Sequence, residues 1–197
     1  MTGVGAAYPP PAPGHLALRA DALALLRAWD APDADQAAVR DGFVAHLEAH
    51  PGATAKSGPP EHLTASCLVL SDDGADVLLT LHRRAHRWFQ FGGHLEDGDP
   101  SLLAAAAREA REESGIARLR PAPRPVHLDR HELVGDFGRC REHLDVRFAT
   151  LVPRDTAYAA SPESLDVRWW PADDLPDGAP AELRELVAAA RAALLQG

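Results

Sequence analysis

Over residues 16–29 apolar side chains return every three or four positions, at Leu18, Leu25, Leu26 and Trp29, and the same spacing recurs over 35–49 at Val39, Phe43 and Leu47. Each stretch predicts an amphipathic helix. The pattern then shortens: 63–70 and 77–81 are apolar runs flanking the turn Ser71-Asp72-Asp73-Gly74, which predicts a hairpin. Similar runs near 126–134, 144–152 and 167–170 predict strands, and 180–195 closes the chain as an amphipathic helix. Strands interleaved with helices imply an α/β architecture. Residues 1–15, rich in Pro, Ala and Gly, read as a disordered or loosely packed leader; 16–60 as a helical N-terminal extension ending in a linker over 51–60; and 61–197 as the main domain. The apolar faces of the two extension helices need a cover. The domain itself is the simpler one and a second subunit the other, so monomer and homodimer both stay open.

The remaining helix carries the chemistry. Asp99, Pro100 and Ser101 are helix-starting residues and Gly115 a helix-ending one, so 101–114 predicts a helix. At about 100° per residue, Glu112 and Glu113 each fall within roughly 60° of Glu109, so the three carboxylates share a side. A helix gains nothing from this placement. Like charges three or four apart cost a few tenths of a kcal/mol, and anions in the last turn cost about 0.3–1 kcal/mol against the macrodipole. Arg108 and Arg111 offset only part of that, because exposed pairs contribute little. A divalent cation accounts for the cluster better, since Mg²⁺ takes oxygen ligands and is shared between one or two carboxylates and a substrate's phosphates.

Arg108, Glu109, Ala110, Glu112, Glu113, Gly115 and Ile116, preceded by Gly92-Gly93, resemble the signature of the Nudix hydrolase family. That signature runs Gly, five residues, Glu, seven residues, then Arg-Glu-hydrophobic-any-Glu-Glu-any-Gly-hydrophobic. Gly93 lies one residue further from Arg108 than the signature requires, an excess a loop absorbs cheaply. The intervening glutamate is missing, with Asp99 or Glu96 as its replacement. The resemblance implies an α/β/α sandwich with a mixed sheet, here preceded by a helical N-terminal extension. It also implies Mg²⁺, with Mn²⁺ as a substitute, held by Glu109, Glu112, Glu113 and the Gly93 carbonyl, and Arg108 orienting a carboxylate. Such a metal bridges diphosphate oxygens, offsets charge developing at phosphorus and lowers the pKa of a bound water. The general base is either a motif glutamate or a later acid, for which Glu142, Asp145, Glu163 and Asp166 are the candidates.

His143, Asp145 and Arg147 alternate with Leu144, Val146 and Phe148, which puts the polar trio on one side of a strand, facing a pocket or solvent. His127, Asp129 and His131 alternate in the same way. Arg83, Arg84, Trp88 and His94 flank the double glycine and, with His143 and Asp145, are candidates for substrate binding: guanidinium groups for phosphate, an indole for stacking. Packing is an equally ordinary role for Trp88. The net charge of −9 argues against nucleic acid as a partner. With no signal-peptide pattern and no stretch near the ~20 apolar residues of a membrane span, a cytoplasmic location away from membranes is expected. Cys67 and Cys140 are too few and too isolated for a disulfide framework or a zinc site. No histidine pair stands at zinc-ligand spacing beside a carboxylate, so a transition metal is not expected.

The function expected is Mg²⁺-dependent cleavage of a phosphoanhydride in a nucleoside diphosphate linked to another moiety. Neither the coenzyme A nor the ADP-ribose and dinucleoside polyphosphate marks of the family are present, which leaves the substrate unassigned. Two alternatives stand beside this one. An isopentenyl-diphosphate isomerase-like enzyme needs a cysteine near the glycine-histidine segment, from which Cys67 is distant in sequence. A non-catalytic sensor on the same fold would be expected to lose glutamates that this chain retains.

Overall fold

The computed structural model describes residues 8–133 and 138–195. Two helices come first, α1 (Pro13–Ala28) and α2 (Ala34–Ala49). They are followed by β1 (Glu61–Ser71), β2 (Asp76–His82), β3 (Trp88–Phe89), β4 (Phe91–His94) and α3 (Leu102–Ser114), then β5 (His127–Glu132), β6 (Glu142–Val152), β7 (Ser164–Pro171) and α4 (Glu182–Leu195). The α/β class and each helix and strand expected from apolar spacing are present. The strands β3 and β4 were not anticipated, because neither is long enough to show an alternation. Val134, at the end of the strand expected over 126–134, lies outside the described residues.

The strands form one mixed sheet of seven. Its axis is the parallel pair β1–β6, in register from Glu61↔Glu142 to Ser71↔Val152. On its other edge β1 meets β2 only at Val69↔Leu78 and Leu70↔Val77. Nearer its start it meets β4 instead, from Thr64↔His94 to Cys67↔Phe91. Because β3 pairs with β2 through Thr80↔Phe89 and Leu81↔Trp88, the segment 88–94 passes from β2 to β1 where those two strands diverge. The remaining strands are antiparallel: β7 lies on β2 and β5 on β6.

Alternation along β1 and β6 assigns the faces. Ala65, Cys67 and Val69, with Leu144, Val146 and Phe148, point into the larger core beneath α1, α2 and α3. Leu68, Leu70 and Ala149 point to the opposite face, under α4. On that second face the earlier positions of the same strands carry Thr64, Ser66, Asp145 and Arg147, all buried. One sheet face is therefore apolar under α4 and polar beside it.

The extension helices belong to the larger core. Leu18, Leu26, Phe43 and Leu47 are fully buried with Ala65, Phe91 and Leu102. Asp21 of α1 accepts a hydrogen bond from the Leu102 N–H at 2.8 Å, satisfying one of the free donors at the start of α3. In α2, Gln36 both accepts from the Leu128 N–H at 2.8 Å and donates to the Leu128 carbonyl at 3.1 Å. Its amide thus imitates a neighbouring strand and blunts the edge of β5.

Two expectations need correction. Residues 13–15, assigned to a loose leader from composition, form the first turn of α1, where a Cβ on Gly14 would overlap the Asp97 carbonyl oxygen. The 51–60 segment, read as a linker, buries Ala53, Thr54 and Ala55. It is tied to both sides, with the Thr54 hydroxyl donating to the His15 carbonyl at 2.9 Å and the Leu63 N–H donating to the Ala53 carbonyl at 2.7 Å.

A core shared between the extension and the sheet predicts shared stability. Leu26→Ala should cost about 2–5 kcal/mol, and denaturant unfolding followed by far-UV circular dichroism and tryptophan fluorescence should remain one coincident transition. An early transition confined to the helices, with the sheet unaffected, would refute the shared core.

Candidate active site

Helix α3 is capped at both ends, by a side chain at its start and by backbone conformation at its close. The Ser101 hydroxyl accepts from the Ala104 N–H at 3.1 Å, and Gly115 closes the helix in the left-handed region with φ 70°. Between them Ala105, Ala106 and Ala110 are fully buried, and side chains this small let the helix lie close to the sheet. That closeness brings the glutamates to β4. Glu113 Oε2 accepts from the Gly92 N–H at 3.0 Å, and a Cβ on Gly93 would stand 2.7 Å from Glu109 Oε1. Only a glycine lets the backbone approach this carboxylate so closely. Glu113 is 7% exposed, whereas the Glu112 side chain is 60% exposed.

Arg108 gathers the acids. Its guanidinium donates to Asp99 through Nε at 3.0 Å and a terminal nitrogen at 2.9 Å, to Glu109 at 3.0 Å, to Glu112 at 3.3 Å and to the His94 carbonyl at 3.1 Å. The two-pronged grip on Asp99 is the strong geometry for such a pair. Burial alone would raise the Asp99 pKa. The Arg108 hydrogen bonds and the Glu96 N–H outweigh it and leave the carboxyl below its usual range. Glu96 is the lesser partner, 3.7 Å from Arg108 and largely exposed.

The glutamates show the opposite balance. Burial raises the pKa of Glu109 even against the pull of Arg108. Glu113 is pushed up to about 8 by burial, opposed by the Gly92 hydrogen bond and reinforced by the charges of Glu109, Glu163 and Glu112. Carboxylates this crowded and this dry hold protons unless a cation replaces them. Oxygen donors from Glu109, Glu112 and Glu113, with the Gly93 backbone alongside, suit Mg²⁺ or Mn²⁺ in type and charge.

Glu113, Gly92 and Gly93 form one wall of a pocket of about 190 Å³ whose floor is the polar part of the sheet. Asp145 organises that floor, accepting from the hydroxyls of Thr64 at 3.0 Å and Ser66 at 2.7 Å, from Gln90 at 3.3 Å and from Arg147 Nε at 3.0 Å. A second nitrogen of Arg147 donates to Asp129 at 2.8 Å, while its third, Nη1, is buried without a hydrogen-bond partner. Arg147 thus lines the pocket as a sequestered guanidinium with one donor unused, although that nitrogen is itself shielded from solvent.

The other candidates from the sequence scatter. His143 and Asp145 line the pocket. Arg83 is engaged with the carbonyls of Pro162 and Ser164 at 2.9 and 3.1 Å, tying the turn after β2 to the 161–164 loop. Trp88 packs edge-on against Trp170, ring centroids 5.2 Å apart, in the core under α4, and Arg84 does not line the pocket. Glu142 pairs with Arg130 at 2.7 Å and Asp166 with Arg168 at 2.7 Å. Glu163, outside the motif helix, adds its negative charge to the surroundings of both Glu109 and Glu113.

Several wall residues carried no signal in the sequence. Thr80, His82, Phe89, Gln90 and Glu182 meet only because β2, the 88–94 segment and the start of α4 converge there. The histidines, whose spacing along the chain gave no transition-metal pattern, are brought together by the fold. His62, His94, Cys140 and His143 come together, with one candidate ligand atom of each within 4.8 Å of the others.

A family model described as the NUDIX domain matches residues 60–190. No curated protein matches the chain by sequence. Among solved structures, the MutT protein of Methanosarcina mazei Go1 superposes with a TM-score of 0.54 at 22% identity, over 66% of this chain and 92% of that one. An Ap4A hydrolase of C. elegans in a binary complex gives 0.53 at 19% identity, over 68% and 98%. The dihydroneopterin triphosphate pyrophosphohydrolase of E. coli gives 0.54 at 18% identity, over 68% and 96%. The residues that the family model matches leave the N-terminal extension outside. By the match over most of its length, and with the glutamate helix seated against a double glycine, the chain belongs to the Nudix hydrolase family.

Proposed function

We propose that this protein hydrolyses a phosphoanhydride bond in a nucleoside diphosphate linked to another moiety, using Mg²⁺, or Mn²⁺ in its place, at Glu109, Glu112, Glu113 and the Gly93 carbonyl. The observation that carries the reading is the burial of Glu113 and Glu109 against Gly92-Gly93 at the wall of a pocket floored by Arg147. The metal, when bound, neutralises phosphate oxygens and makes a coordinated water acidic. Arg108 keeps Glu109 and Glu112 aimed at one point, and Asp99 takes the place of the missing motif acid by fixing Arg108. Arg147 receives a negatively charged part of the substrate. Glu163, beside the cluster yet on a separate loop, accepts the proton of the attacking water.

A pocket of about 190 Å³ is smaller than the roughly 300 Å³ that a whole drug-sized ligand needs. One portion of the substrate therefore sits inside, with the remainder extending over the exposed Glu112. The net charge of −9 makes a small molecule, and not nucleic acid, the partner. Among the described residues no helix is long and apolar enough to cross a membrane, in keeping with work in the cytoplasm. The isomerase alternative gains nothing from Cys67, which is fully buried in the core with its thiol pKa pushed up by burial. Retention of all three motif glutamates favours an enzyme over a sensor.

A panel of dinucleotides, sugar nucleotides and nucleoside triphosphates, read by chromatography of the nucleoside monophosphate and other phosphorylated products, should yield turnover that chelation abolishes. Glu113→Gln should lower kcat/KM at least about 100-fold, near 2.7 kcal/mol of transition-state stabilisation, without loss of folded structure. Equal activity in the two proteins would overturn the proposal. Glu163→Gln should lower kcat by about 10²–10⁴-fold with little change in KM, and Glu142→Gln should change neither. Because the Glu113 carboxyl titrates near 8 without a cation, metal binding must expel its proton. Mg²⁺ affinity, followed by thermal shift, should therefore rise from about pH 6 to about pH 8 and then level off, a dependence that Glu113→Gln removes.

A further inference from the structure

Three imidazoles and a thiol converge at the end of the sheet that carries the polar floor, apart from the glutamates. His62 of β1 and His143 of β6 are direct partners in the parallel register, and His94 ends β4 on the other edge of β1. Cys140 lies in the turn leading into β6 and is buried, its Sγ 3.9 Å from His94 Nε2. The rings are mutually close, with centroids 5.1 Å apart for His62–His94, 5.3 Å for His62–His143 and 5.1 Å for His94–His143.

Hydrogen bonding leaves this cluster incomplete. His62 Nδ1 donates to the Pro59 carbonyl at 3.1 Å, which fixes the tautomer and leaves Nε2 with a lone pair. That Nε2 is buried and unpartnered, as is Nε2 of His143. Two buried ring nitrogens without partners, next to a free thiol, cost free energy unless something fills the space between them. A backbone carbonyl orienting one ring nitrogen while the other stays free is the usual support of a metal-ligating histidine.

We propose that His62, His94, Cys140 and His143 form a structural zinc site separate from the Mg²⁺ cluster. Three nitrogens and one sulfur are the donors zinc prefers, whereas Mg²⁺ would find no oxygen ligand among them. Four protein ligands leave no open position, so the ion acts on structure and not on substrate. Donor atoms spread over 4.8 Å contract when bound, since the edges of a zinc tetrahedron are about 3.4 Å. The site joins β1, β4, β6 and the turn before β6. As His94 directly follows Gly93, the ion also steadies the backbone that faces Glu109.

The test is metal content and spectroscopy, neither of which depends on the hydrolase reading. The full chain, dialysed in Mg²⁺ buffer, should retain one zinc per molecule by elemental analysis. Cobalt in its place should show tetrahedral visible bands and a thiolate-to-cobalt charge-transfer band. Cys140→Ser should remove the charge-transfer band, and His143→Gln should weaken zinc binding at least about 100-fold. The Glu109→Gln, Glu113→Gln double variant should keep its zinc, which separates this site from the glutamates. Absence of both stoichiometric zinc and the cobalt–thiolate band from the wild-type protein would overturn the proposal, as would full zinc retention by the Cys140→Ser, His143→Gln double variant. If that double variant does not fold, the wild-type cobalt spectrum decides alone.

Discussion

The close approach of α3 to the backbone of β4 is the contact on which the rest of the active-site geometry depends. Two glycines in the middle of β4 and three fully buried alanines on a helix remove the side chains that would keep the elements apart. The carboxylates of Glu109 and Glu113 are then forced into a dry space beside backbone amides. A carboxylate that loses water gains a proton or a cation, so the tight packing is itself what prepares this row of acids for the cation we propose.

Much of the molecule serves to hold that contact. Asp21, from a helix that precedes the family's matched region, satisfies a donor at the start of α3, while Asp99 and the His94 carbonyl anchor Arg108 on its other side. The N-terminal extension is therefore part of the same packed body, its Leu26 and Phe43 sharing a core with Phe91 of β4. On the far side of β4, strands β1 and β6 turn polar residues towards the pocket at their beginnings and apolar ones towards α4 further on. Recognition and stability thus share a single sheet face.

The legible parts were those that local periodicity encodes. Apolar spacing located α1, α2, α4 and the long strands, and the capping residues located α3 to within a residue. The motif glutamates were readable because a helix places residues three and four apart on one side whatever surrounds it. The strands β3 and β4 left no such trace. Nor did the burial of residues 53–55, which arises from long-range bonds to His15 and Leu63 and not from composition. Trp88 and Arg83, plausible substrate contacts by proximity to the glycines, were drawn instead into the α4 core and the 161–164 loop.

The chain by itself determined the family, the acids that crowd one helix side and the elements that hold them, because these follow from spacing within about fifteen residues. Only the tertiary structure decided which acid grips Arg108, that the charge of Glu163 acts on Glu109 and Glu113, and that His62, His94, Cys140 and His143 come together. Pairing across a sheet brings together positions as much as 95 residues apart, as Asp76 and Pro171 are, and nothing in the spacing of one strand specifies the register of another.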